Sequence, residues 1–168
     1  LRDSIIWCDS RAVEIGNLAA KEIGEIKYGT QLLNSPGNFT ASKLKWVKDN
    51  EEKIYKKVSN FMLPGDFIAY KLTGEINTTI NGLSEGILWD YKDKKVANWL
   101  LKYFGLDTGL VPSLVSNFQD QGSVTNIASK ASGLPIGIPI RYRAGDQPNN
   151  ALSLNVLKPG EVAATGGT

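Results

Sequence analysis

Apolar residues recur three and four positions apart over several stretches, and each stretch predicts a helix with one buried face. Ala12, Ile15, Ala19 and Ile23 form the first stripe, with Asp9 or Ser10 as N-cap and Gly24 as the stop. "YGTQLLNSPGNF" then reads as a turn-rich loop. Thr40 caps a second helix through "ASKLKWVKDNEEKIYKKVS", whose stripe is Leu44, Val47, Ile54 and Val58. "LPGDFIAYKLTG" predicts a short helix with Asp66 near its start and Gly74 closing it. In "KDKKVANWLLKYFG" the inward positions are Val96, Trp99, Leu100 and Tyr103, and "TNIASKASG" is a helix between Thr125 and Gly133.

Runs rich in β-branched or apolar residues predict the strands. Ser4 to Trp7 reads as a buried strand, "EINTTINGLSEGILWDYK" as short strands or an irregular hairpin, and "QGSV" as a brief strand. "DTGLVPSLVS" reads as loop. The last unit is a strand from Ile138 to Arg143, a Gly-Asp turn, a helix from Pro148 to Leu157 and a strand from Glu161 to Thr165. Alternating strands and helices without a repeat predict an α/β fold: several helices on a small mixed sheet. The strands are few for a self-sufficient sheet. With Leu1 in place of an initiator methionine, and Gly166-Gly167-Thr168 ending before a helix could follow, the chain reads as a piece of a larger protein.

Composition narrows the chemistry. Of 168 residues, 42% are apolar and 21% charged, and the formal charge of +2 is spread among paired acids and bases. That is a soluble globular pattern, with no footprint for nucleic acid and no span or leader for a membrane. Histidine is absent, which removes Ser-His-Asp and Cys-His catalysis and the common zinc sites. Cys8 stands alone, so no internal disulfide forms, and it reads as a small buried residue at a strand end. The tryptophans Trp7, Trp46, Trp89 and Trp99 read mostly as core or core edge.

Chemistry therefore falls to carboxylates, amides, hydroxyls or lysines. Asp146, in "AGDQP", sits where a strand hands over to a helix. It either caps that helix or faces a ligand beyond the strand's carboxyl end, and one oxygen can serve each purpose. Asp9, with Arg11 beside it, marks a similar junction, a cap with a surface ion pair or a contact residue. "TGGT" at 165–168 is a phosphate-loop-like turn, though paired glycines are common in turns.

In order, "IIWCDSRA", "NFTASKLKWVKDN", "FMLPGDFIAYKLTGE", "NGLSEGILWD" and "GLPIGIPIRYRAGDQPNNALSLNVLKPGEVAATGGT" resemble the central part of the FGGY carbohydrate kinases, their xylulokinase branch in particular. The resemblance covers nearly the whole chain. It implies part of an RNase H-like (actin-like) domain, with residues 1–160 the later part of the N-terminal sugar-binding domain. Residues 161–168 would be the first strand and the start of the phosphate loop of the nucleotide-binding domain.

By the same resemblance Asp146 is the catalytic base that takes the proton of a sugar hydroxyl. Gln147, Asn38 and Asp9 are sugar contacts, and Gly167 and Thr168 meet the nucleotide's phosphates. Lys43 and Trp46 match the family's "K-x-x-W" pattern, read as helix packing. Thr79 or Ile80 stands where the family has an acidic residue, Ser84-Glu85-Gly86 replaces a Ser-Gly-Thr block, and Arg143-Ala144 precedes Gly145 where glycines are usual.

The implied activity is ATP- and Mg2+-dependent phosphorylation of a sugar, D-xylulose to its 5-phosphate, in the cytoplasm by the full-length parent. This chain alone should be inactive. Other kinases of glycerol, ribulose or gluconate, or a non-catalytic sugar- or protein-binding module, are the alternatives. The expected partners are a small sugar and, through apolar surface left uncovered, a second copy in a homodimer; neither nucleic acid nor membrane is expected.

Overall fold

A computed structural model describes residues 2–164 and 166. Helices α1 (Val13–Ile23), α2 (Glu25–Gln31), α3 (Thr40–Asn50), α4 (Glu52–Tyr55) and α5 (Pro64–Thr73) lead into strand β1 (Asn77–Thr79). Helix α6 (Ile80–Glu85), strands β2 (Trp89–Asp90) and β3 (Lys95–Val96), and helix α7 (Asn98–Tyr103) follow. A 3₁₀ turn (Thr108–Leu110), strand β4 (Ser113–Val115) and helices α8 (Asn126–Ser132) and α9 (Asp146–Ser153) complete the described elements.

β1 and β4 pair in parallel with Thr78 opposite Leu114, while β2 and β3 form an antiparallel ribbon with Trp89 opposite Val96. The parallel pair needs a long crossover. α6, the ribbon and α7 supply it. The core lies between this crossover and the first helices: Leu83, Leu88, Leu100, Leu101 and Phe104 pack with Ala19, Leu32 and Leu44. Each fully buried leucine contributes about 1.5–3 kcal/mol of hydrophobic stabilisation. Asp90, wholly buried, closes the ribbon by accepting the Lys92 and Asp93 amides on Oδ1 and the Trp99 indole N–H on Oδ2 at 3.0 Å.

The helices follow their predicted grammar where glycine ends them. Gly74 and Gly133 adopt left-handed conformations (φ 80° and 78°), and Thr125 accepts the Ala128 amide as cap of α8. Elsewhere tertiary context changes the reading. α1 begins after Ala12 without a side-chain cap, because the Asp9 carboxylate is taken by Arg11. The start of the predicted loop, Tyr28 to Gln31, belongs to α2, since Gly24 (φ 87°) only turns the chain before a helix resumes. Thr40 is the first residue of α3 rather than its cap, and that helix breaks at Glu51 before α4. In α7 it is Leu100 and Leu101 that are buried, while Tyr103 is 40% exposed with its hydroxyl on Glu22.

The expected strand at Ser4–Trp7 is not formed; no strand among the described residues offers it a ladder, and Trp7 is 89% exposed. Cys8 is exposed too, contrary to the expected burial. The run from Ile138 to Arg143 makes only a bridge, Ser123 to Pro139, with Ile140 pairing to Gln121 and Gly122. Pro139 has no N–H to extend that ladder. α9 starts two residues before Pro148 and ends at Ser153. Residues 161–164 carry no strand, and Thr165, Gly167 and Thr168 lie outside the described residues.

Candidate active site

A cleft of about 710 Å³ opens where residues 4–7, the starts of α3 and α5, helix α6 and the segment Arg143–Gly145 meet. Its charged lining is Lys43, Asp66, Glu85 and Arg143, and Asn38 and Thr79 add neutral polar groups. Thr79 accepts the Gly82 amide at 3.1 Å and so serves as cap of α6.

The wall nearest α9 is built by two side chains. Arg143 spreads its guanidinium over three elements. Nε donates to Asp66 Oδ1 at 3.0 Å, one terminal nitrogen to Gln121 Oε1 at 2.8 Å, and the other to the carbonyl and Oδ1 of Asn77 at 2.8 and 2.6 Å. The ion pair is enclosed, with side chains only 9% and 5% exposed. Glu85, half-buried at the end of α6, accepts the Gly145 amide. A Cβ on residue 145 would lie 2.4–2.7 Å from that carboxylate, so glycine is what lets the two approach.

Asp146 follows directly, as the first residue of α9 after the N-cap Gly145. It is exposed, and Oδ1 accepts the Gln147 amide at 2.9 Å. It is thus not the N-cap of the simpler expectation. An anion in the first turn suits the positive end of the helix. Gln147 is exposed beside it, its Nε2 3.5 Å from Asp146 Oδ2.

Asp9 and Asn38 come together, Asn38 in the lining of the cleft and Asp9 not among its lining residues. The Asn38 amide nitrogen donates to the Asp9 carbonyl, and Asn38 Oδ1 is enclosed with no hydrogen-bond partner among the described residues. The Asp9 carboxylate is gripped by Arg11 at 2.9 and 2.7 Å, and that hydrogen bonding holds its pKa down to about 2. Arg11 in turn lies 4.6 Å over the Trp46 ring. Lys43 is more than packing: it lines the cleft and donates to the Ile6 carbonyl at 2.7 Å, with burial lowering its pKa.

Burial pushes the Glu85 carboxyl above its ordinary range; the Gly145 amide opposes this, and the charges of Asp146 and Asp66 reinforce it. The folded protein then holds this proton more tightly than the unfolded chain, so stability falls as pH rises from the unfolded value through the folded one. Glu85→Gln keeps an acceptor for Gly145 but removes the titration. The melting temperature of the variant relative to the parent should climb as pH rises above about 4, the ordinary range of a glutamate. A difference constant with pH would contradict the buried carboxyl.

No local sequence pattern marks Asp66, Glu85 or Arg143 as site residues. The signal for two of them was present: Glu85 and Arg143 stand where the resembling family has other residues.

Residues 1–153 match the FGGY family of carbohydrate kinases, N-terminal domain. The xylulose kinase of Staphylococcus xylosus is 31% identical over 159 residues, 90% of this chain and 31% of that protein. The glycerol kinase of Thermococcus gammatolerans is 31% identical over 172 residues, all of this chain and 34% of that protein. The crystal structure of xylulose kinase from Rhodospirillum rubrum superposes with a TM-score of 0.86 at 25% identity, over 95% of this chain and 33% of that one. The chain spans about a third of the length of these relatives, and its fold is the α/β, actin-like fold they share. With a matching fold and a family match over almost its whole length, the chain belongs to the FGGY carbohydrate kinases.

Proposed function

We propose that a full-length protein carrying this chain phosphorylates a sugar hydroxyl with ATP, and that the sugar is D-xylulose, giving D-xylulose 5-phosphate. One observation carries the reading: Gly145 lines the cleft and Asp146 opens α9 immediately after it. Residues 1–160 are then the later part of the sugar-binding domain, and 161–168 begin the nucleotide-binding domain. Cellular ATP places the reaction in the cytoplasm.

Asp146 accepts the proton of the hydroxyl to be phosphorylated and orients its oxygen. Phosphoryl transfer through a loose transition state asks for positioning and charge neutralisation more than for a strong base. A carboxylate within hydrogen-bond reach supplies both orientation and late proton acceptance. Gln147 offers an amide to a neighbouring hydroxyl, Asn38 Oδ1 accepts one from across the cleft, and Asp9 shapes that rim through its carbonyl. When bound, ATP would supply the γ-phosphoryl group, leaving as ADP as the sugar oxygen bonds phosphorus, and Mg2+ would neutralise charge on the phosphates. Among the described residues no group of three or more His, Cys, Asp or Glu could hold a metal ion. Gly167 and Thr168, assigned to the nucleotide's phosphates, lie outside the described residues. The roles given to this chain's residues therefore belong to the sugar side of the reaction.

The second reading is a glycerol kinase, favoured by Gln147 in "GDQ" and by the 31% identity to the Thermococcus enzyme. ADP release from the full-length protein, measured over D-xylulose, D-ribulose, gluconate and glycerol, separates the two. We expect the highest kcat/KM on D-xylulose; equal values on glycerol and D-xylulose would contradict the choice.

A further inference from the structure

We propose that Arg143 is a positioning residue that fixes Asp146 against the cleft, its guanidinium replacing the β-ladder that this segment lacks. The inference rests on the reading of Asp146 above. The last backbone pairing of this segment with residues 121–124 is at Ile140, whose N–H and C=O meet Gly122 and Gln121. Residues 141–145 have no regular secondary structure, yet they must deliver Asp146 to one place.

A free segment of this length can swing its end by several ångströms, since each residue reaches up to about 3.3–3.6 Å. A misplacement of about 1 Å can cost a reaction about 10²-fold. Arg143 removes that freedom. Its four hydrogen bonds end on Asp66, Asn77 and Gln121, which are 5%, 8% and 2% exposed and stand on α5, on β1 and before the bridge. Gln121 is itself held, its Nε2 donating to the Ser116 and Asn117 carbonyls at 3.0 and 3.1 Å. A planar fork holds acceptors on three separate residues in one fixed geometry, which a compact ammonium on a flexible stem does not.

A buried ion pair is weak evidence of stability, because desolvation offsets most of the attraction, and its best-attested use is to fix one arrangement against others. Two residues on, the Gly145 amide is fastened to Glu85. Asp146 therefore starts its helix from a segment pinned on both sides.

The test uses the full-length protein with D-xylulose and Mg-ATP. Arg143→Lys should lower kcat about ten- to hundredfold while KM for the sugar stays within about threefold. Should that variant fail to fold, the pair Arg143→Met with Asp66→Leu removes both charges. With no charge left unpaired the pair should fold, although the buried acceptors of Asn77 and Gln121 lose their donor, while turnover stays at least about tenfold down. Turnover near the parent's in that folded pair, or a kcat for Arg143→Lys within twofold of the parent, would overturn the positioning role. Asp146→Asn measured alongside separates the two ideas. Normal turnover there removes the base itself, whereas an inactive Asp146→Asn beside an active Arg143→Lys removes only the anchor.

Discussion

Asp146→Asn in the full-length protein is expected to lower kcat on D-xylulose by about 10²–10⁴-fold, the usual worth of a positioned general base. Affinity for the sugar should stay within a few-fold. The amide keeps the shape of the side chain and one oxygen that can accept the Gln147 amide, the bond made now at 2.9 Å. What it loses is the ability to take a proton. Because Asp146 is exposed and is not the N-cap of α9, folding should be little affected. Single-turnover kinetics with direct sugar binding checks both halves, and near-normal turnover would remove Asp146 from the chemistry.

Gly16→Ala should produce the largest loss of stability from a single methyl group. Gly16 lies buried in α1, and a Cβ there would sit 1.7 Å from the Gly37 carbonyl oxygen and 2.3 Å from its carbon. Both contacts are backbone, so no rotamer change relieves them. Alanine favours a helix interior over glycine by about 1 kcal/mol. Overpacking of this severity costs about 3 kcal/mol, the upper end of its usual range, and therefore wins. Moving Gly37 also moves Asn38, so sugar affinity should weaken along with stability. Urea denaturation followed by tryptophan fluorescence reads the first effect, and an unchanged or raised midpoint would refute the close packing of α1 on this loop.

Helices were legible where a stripe of apolar residues ends in a glycine that turns left-handed, as at Gly74 and Gly133. Strands were legible only in part: β1 and β2 fall in the run read as short strands, but β4 lies in a stretch read as loop, because strands of two or three residues are too short to show alternation. β1 also departs from the usual code: Asn77, Thr78 and Thr79 are all buried, polar residues in the interior because Arg143 and the start of α6 need acceptors there. Asp146 could be found from sequence, since a Gly-Asp-x-Pro junction marks a helix start and the resemblance gives the carboxylate a role. The network that holds its segment could not. Arg143 reaches partners 77, 66 and 22 residues away, and no local pattern encodes such a convergence. Trp7 and Cys8 failed for a related reason: an apolar run predicts burial only where another element covers it, and Trp7 is 89% exposed.

The most direct test of the account is a crystal structure of the full-length protein with its sugar bound. A terminal hydroxyl of the sugar should lie about 2.6–3.2 Å from an Asp146 carboxylate oxygen, inside the cleft walled by Glu85 and Arg143. A sugar bound with every hydroxyl beyond hydrogen-bond reach of Asp146, or with its reacting hydroxyl on another carboxylate, would contradict it.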